Sequence, residues 1–174
     1  MGMVARRYAL SERQMRAVST SALARLAPSL TRRLGTSWWA WIDVSGTLWP
    51  RLPASDRAAA TGHRPLGVQL SGATWMPATE AMRLAASFSH FSDGIVLLGD
   101  EPSDDCLSAK VVLEASCASV WFLYTHDADA VLAALGQEME SEELSVGDTD
   151  DLGTGGSWHM VVTDDGFELT RCAA

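Results

Sequence analysis

A chain of 174 residues, 47% of them apolar, is long enough for one domain with a sizeable core and too short for two comfortable ones. Its formal net charge of −9 argues against contact with a nucleic-acid backbone and for a partner that is basic or neutral. Three cysteines, Cys106, Cys117 and Cys172, have no C-x-x-C spacing and cannot close a disulfide set. A reducing, cytoplasmic setting is the expectation, and no apolar run reaches the length of a transmembrane helix.

The charge is divided unevenly. Seven of the thirteen basic residues precede Gly35, where Glu12 is the only acid; the remainder holds six basic residues against twenty-one acidic ones. Ser11 followed by Gln14 has the form of a capping box, so a helix is predicted to start there, with Met15, Val18, Ala22 and Leu26 on one face. Pro28 is expected to break it, and a second turn over Ser29 to Leu34 would stop at Gly35. Residues 1–35 therefore read as a basic helical segment packed on an acidic body. An Arg- and Ser-rich, acid-poor start also has the composition of an organelle transit peptide. Residues 36–174 read as a single α/β domain.

Trp38 to Val44 is an unbroken apolar and aromatic run interrupted only by Asp43, the composition of a strand buried on both faces with a carboxylate at its end. Val44-Ser45-Gly46-Thr47 looks like a turn, and residues 54–65 like a loop. A short strand follows at Gly67 to Leu70, closed by Ser71-Gly72. Pro77 opens a helix running to Phe88 with an Ala81, Leu84, Ala85, Phe88 stripe. Ile95 to Leu98 is an apolar strand ending at Gly99-Asp100, and Asp104-Asp105 suits the start of a helix reaching Ser116. Val120 to Tyr124 is a third apolar strand. A helix is expected from Ala128 to Met139, with Glu138 to Glu143 as its solvated end and a short strand at Leu144 to Val146. Ser157 to Cys172 alternates as a hairpin around Asp165-Gly166. Strands alternating with helices predict an α/β fold, a mainly parallel sheet flanked by helices, with a C-terminal antiparallel hairpin.

In a parallel sheet the strand ends at Asp43, Ser71 and Asp100 would share one edge and bring carboxylates and hydroxyls together, the donor set of a Mg²⁺ site. Asp43-x-Ser45-Gly46-Thr47-Leu48, the Val-Gln-Leu-Ser71-Gly strand and Leu98-Gly99-Asp100-x-x-Ser103-Asp104 together resemble the motifs of the haloacid dehalogenase superfamily. Trp121 to Leu135 is faintly similar to its trehalose-phosphate phosphatase branch. The resemblance covers roughly residues 36–136. It implies Asp43 as nucleophile, Thr47 and Ser71 as phosphate ligands, and Asp43, Asp100 and Asp104 around Mg²⁺. Two features depart from the pattern. Ser45 stands where the family carries a proton-donating acid, and Lys110, the chain's one lysine, follows the metal motif instead of preceding it.

Other motifs carry less. His63, His90, His126 and His159 lack metal-ligand spacing. Gly155-Gly156-Ser157-Trp158-His159 lacks the second glycine of a nucleophile elbow, and Gly153 to Gly156 does not open a helix. Of the four tryptophans between Trp38 and Trp49, two are expected to be buried. The resulting expectation is a non-catalytic acidic domain without a cofactor. It would bind a basic or neutral protein, as an inhibitor of immunity or antitoxin type or as a complex subunit, through Glu140, Glu142 and Glu143, with neither nucleic acid nor membrane as partner. The alternative is a Mg²⁺-dependent phosphohydrolase using Asp43 and Ser45.

Overall fold

The protein is described by a computed structural model over residues 5–11, 22–48, 66–100, 102, 107–116, 120–135, 141–144, 147, 149–153 and 156–173. In chain order these form β1 (Arg6–Ser11), α1 (Ala22–Leu34), β2 (Trp38–Leu48), β3 (Leu66–Pro77), α2 (Ala78–Ser87), β4 (Phe88–Gly99), β5 (Leu107–Ala109) and β6 (Val111–Ser116). They continue with β7 (Val120–Thr125), α3 (Ala128–Leu135), β8 (Ser141–Leu144), β9 (Thr149–Leu152), β10 (Trp158–Val162) and β11 (Phe167–Arg171). Seven strands make one sheet in the order β3-β2-β4-β6-β7-β1-β8, and four make a second in the order β5-β11-β10-β9. Among the described residues no helix is long and apolar enough to cross a membrane.

The large sheet is the middle layer. Because side chains alternate along a strand, Trp39 and Trp41 face one way with Val96, Leu98, Val111, Leu113, Trp121 and Leu123, against Leu23, Leu26, Ala27 and Leu30 of α1 and Ala81 and Ala85 of α2. Ala40, Ile42, Ile95, Leu97, Val112 and Tyr124 face the other way, onto Leu152, Trp158, Met160, Phe167 and Leu169 of the small sheet. Helices cover one face and a second sheet covers the other. On the helical side the rings of Trp41, Phe88, Phe91 and Trp121 form a chain with successive centroids 5.9, 5.1 and 5.0 Å apart.

This architecture overturns the expected parallel α/β sheet and, with it, the haloacid-dehalogenase-like arrangement: every strand pairing is antiparallel. The physical reason is that a continuous apolar run reports burial of both faces and says nothing about direction. An antiparallel sheet clamped between helices and a second sheet satisfies the same pattern.

Local expectations change for related reasons. The helix predicted to reach Ser116 is replaced by β5 and β6: Val111 and Leu113 turn to the helices and Val112 to the small sheet, which suits β-branched residues. Pro28 does not break α1, since Leu26, Ala27 and Leu30, all at most 2% exposed, hold the helix on the sheet through the missing N–H. Leu10 and Ser11 belong to β1, which lies inside the sheet between β7 and β8, so the basic N-terminal segment supplies a strand as well as a helix. Glu142 and Glu143 lie on β8 and not on a helix end. The hairpin is as expected, with Met160 opposite Leu169 and Val162 opposite Phe167, and the Thr163 N–H donates to the Gly166 carbonyl at 3.0 Å across its turn. A side chain at Gly166 would lie 2.4 Å from the Ala109 carbonyl oxygen, so the turn closes on β5 only with glycine.

Candidate functional site

Asp43 is not at a strand end. It stands at a register break in the middle of β2: Ile42 pairs with Ala73 and Val44 with Leu70, so that Asp43 alone stands opposite Ser71 and Gly72 and the extra residue on this side belongs to β3. On the other side the break has the opposite sense: between Ile42–Ile95 and Ser45–Asp93, Asp43 and Val44 stand against Gly94 alone, so against β4 the extra residue belongs to β2. Asp43 has φ 46°, Gly72 80° and Gly94 138°, so three left-handed residues stand at one level across three strands. Aspartate is one of the few side chains that tolerate this region. A Cβ on Gly94 would sit 2.8 Å from the Val44 Cα, so glycine is required there for the strands to approach. The extra residue also inverts the alternation, so that Ile42 faces the small sheet while Val44 faces the helices.

The Asp43 carboxylate ties these parts together. Its Oδ1 accepts the Gly72 N–H at 2.7 Å, and its Oδ2 accepts the Trp158 indole N–H at 2.9 Å, a bond between the two sheets. The indole bond above all, helped by the Gly72 N–H and the charge of Arg171, outweighs burial and holds the carboxyl below its ordinary value. Asp43 is therefore an ionised buckle between layers. Over it opens a cleft of about 410 Å³, lined among others by Ser45, Ser71, Asp93, Trp158 and Arg171.

Of the residues singled out from sequence, Asp43, Ser45 and Ser71 thus meet in one cleft. Thr47 does not line it; its hydroxyl is 2.7 Å from that of Ser89, which also donates to the Thr47 carbonyl. Asp100 lies at the far end of β4, beyond the Trp38–Gly99 pair, where it binds Lys110 Nζ at 2.6 Å. Asp104 and Glu140 lie outside the described residues, and among those described no three potential metal ligands form a group. Glu142 and Glu143 are exposed on β8, and Glu143 accepts from Arg6 at 3.2 Å.

No protein-family model, curated protein or solved structure matches the chain.

A second cleft, of about 370 Å³, opens at the C-terminal end of β4. Asp100, Lys110, Asp165 and Glu168 are among its lining residues, and of these only Asp100 and Lys110 form an ion pair among the described residues.

Sequence reasoning also missed a buried polar network. Glu114, 8% exposed on β6, accepts the Gly153 N–H at 2.8 Å. The Tyr124 hydroxyl lies 3.4 Å from Glu114 Oε2 and 3.2 Å from Asp150 Oδ2, and Arg7 lies 3.6 Å from that same Asp150 oxygen. One hydroxyl proton faces two carboxylates. The available signal was a single acid inside the apolar run Val111-Val112-Leu113-Glu114-Ala115, since an acid there must be paired or protonated. Burial raises the pKa of Glu114 above the ordinary 4.5, and burial with the nearby Glu114 charge raises that of Tyr124.

A raised folded-state pKa contributes stability that is complete below the unfolded value and is lost as pH rises through the folded one. Glu114→Gln keeps the shape and an acceptor for the Gly153 N–H, while its amide can donate to the Tyr124 hydroxyl oxygen, and it is therefore expected to lose less stability than the parent between pH 5 and pH 8. Denaturation midpoints at the two pH values measure this; equal slopes for both proteins would refute the assignment.

Proposed function

We propose that this chain is a non-catalytic acidic domain that binds a basic protein, in the manner of an inhibitor of immunity or antitoxin type. The supporting observation is the second cleft. Asp165 and Glu168 line it without an ion-pair partner among the described residues, and its one cation, Lys110, is already held by Asp100. An arginine or lysine entering from a partner would meet two uncompensated carboxylates, the arrangement in which guanidinium recognition is strong.

The adjoining outer face of the small sheet suits such an encounter. Val161, the one exposed large apolar residue among those described, sits between Glu168 and Thr149 on neighbouring strands. Beside it His159 pairs with Asp151 at 3.1 Å. An apolar point within an acidic, hydroxyl-bearing surface has the anatomy of a small interface, and the net charge of −9 would speed approach of a basic partner. Glu142 and Glu143 belong to the same charge field, although Glu143 is already engaged by Arg6.

The catalytic alternative has less support. A Mg²⁺-dependent phosphohydrolase with Asp43 as nucleophile needs that carboxylate free and close to Asp100. Both Asp43 oxygens accept N–H donors, and Asp100 follows the C-terminal end of β4, away from the mid-strand level of Asp43.

Quantitative affinity enrichment from cells of the source organism tests the reading. A specific partner is expected whose recovery falls between 50 and 300 mM salt and drops at least about tenfold with Asp165→Lys/Glu168→Lys. Recovery unaffected by both salt and charge reversal would reject it.

A further inference from the structure

Each sheet ends in two edges, and among the described residues these are β3 and β8 of the large sheet and β5 and β9 of the small one. A free edge offers unpaired N–H and C=O groups to any strand that meets it, and folded proteins guard against this with short strands and charges. Three of the four edges are guarded in this way. β5 is three residues long, and β8 and β9 are four residues each with two acids apiece. β3 is different: it runs for twelve residues, Leu66–Pro77, without one charged side chain. Its inner side pairs with β2 along almost its whole length, and no hydrogen bond leaves its outer side among the described residues.

The side chains of β3 suit a neighbouring strand. Gln69, Ser71, Ala73 and Thr74 are exposed. Between them Val68, Leu70 and Met76 are half-buried against the core on the helical side, and Trp75 against the core under the small sheet. Both faces of the sheet therefore carry apolar side chains up to the edge itself. A further strand would cover them on both sides while its backbone closes the ladder.

We propose that β3 pairs antiparallel with β3 of a second copy of this chain about a two-fold axis, joining the two large sheets edge to edge. Charge and register select a copy over a foreign strand. Each chain carries a net charge of −9, so two copies repel wherever their acids meet, and an uncharged edge brings them together with least repulsion. The register break at Ser71 and Gly72 divides β3 into Gly67–Leu70 and Ala73–Met76. A regular strand laid along β3 would lose its pairing at that level. A two-fold through the break sets each half of one copy against the opposite half of the other, break against break. The dimer uses none of the residues given to the basic partner, and either reading can fail alone.

The test is sedimentation equilibrium of the intact protein from about 5 to about 500 µM, with a mass rising toward twice that of the chain and a Kd of about 100 µM or tighter expected for so narrow an interface. Because the copies repel, raising salt from about 50 to about 300 mM should tighten the dimer, the opposite of its effect on a basic partner. Hydrogen exchange of the β3 amides should slow as the dimer fills while that of β8 and β9 stays the same, a readout that needs no substitution. Gln69→Lys/Thr74→Lys places on two exposed positions the charge that guarded edges carry. It should weaken dimerisation at least about tenfold, although the two lysines bring the net charge from −9 to −7 and so reduce the general repulsion. A monomer at about 500 µM overturns the proposal. So does a dimer that salt weakens, one that leaves β3 exchange unchanged, or one that survives both lysines.

Discussion

Trp41→Ala is expected to destabilise the fold by about 3–5 kcal/mol, read as a drop in the urea midpoint at unchanged slope. The indole is fully buried and touches three other rings, 5.9 Å from Trp39, 5.9 Å from Phe88 and 6.3 Å from Phe91 between ring centroids. Removing it leaves a cavity lined by rigid rings on a sheet pinned from both sides, where collapse is difficult. Among the described residues the Trp41 indole N–H has no hydrogen-bond partner, so Trp41→Phe removes an unsatisfied donor along with some volume. The phenylalanine variant should therefore lose less than half of what the alanine variant loses. Equal losses would mean that the N–H is satisfied in solution.

The second large effect is expected at Asp43. Replacement by alanine removes two charge-assisted hydrogen bonds, and places a residue less tolerant of left-handed backbone at φ 46°, for a loss of roughly 2–4 kcal/mol. Asn tolerates the same backbone and keeps one acceptor, so Asp43→Asn should lose less, while its amide –NH₂ confronts either the Gly72 or the Trp158 donor. The folded-state pKa of Asp43 is depressed. Its stabilisation is therefore complete above the ordinary value of 3.8 and disappears as pH falls through the folded value. The parent and Asp43→Asn should accordingly converge in stability under strong acid and diverge toward neutrality. A constant difference from pH 2 to 7 would show that the carboxylate's charge contributes nothing.

Glu114 and Asp43 respond to pH in opposite senses because their surroundings differ. Asp43 sits at a cleft between two N–H donors. Glu114 lies under the small sheet, near Asp150 and beside a tyrosine whose single hydroxyl proton serves both acids. The same contrast explains their legibility. A carboxylate at the end of the apolar run Trp38 to Ile42 stands out in the chain, but whether it ends a strand or bulges from one depends on Ser71, Gly72 and Gly94, which come from β3 and β4. Arg171 carries no distinguishing signal in the chain itself. Its place in the cleft beside Asp43 follows from the pairing of β11 with β10, which sets it opposite Trp158.

Local chemistry alone settled several elements. Asp127 begins α3, accepting the Ala130 N–H at 2.8 Å; Pro77 precedes α2; Gly35, at φ 67°, ends α1; and the C-terminal alternation folds into its hairpin. Each needs only neighbours a few residues away. Strand direction, the passage of α1 through Pro28 and the separation of Asp100 from Asp43 were decided by tertiary structure. A buried apolar run reveals how thoroughly it is covered, while pairing partners distant in sequence determine which way it runs and therefore which ends meet.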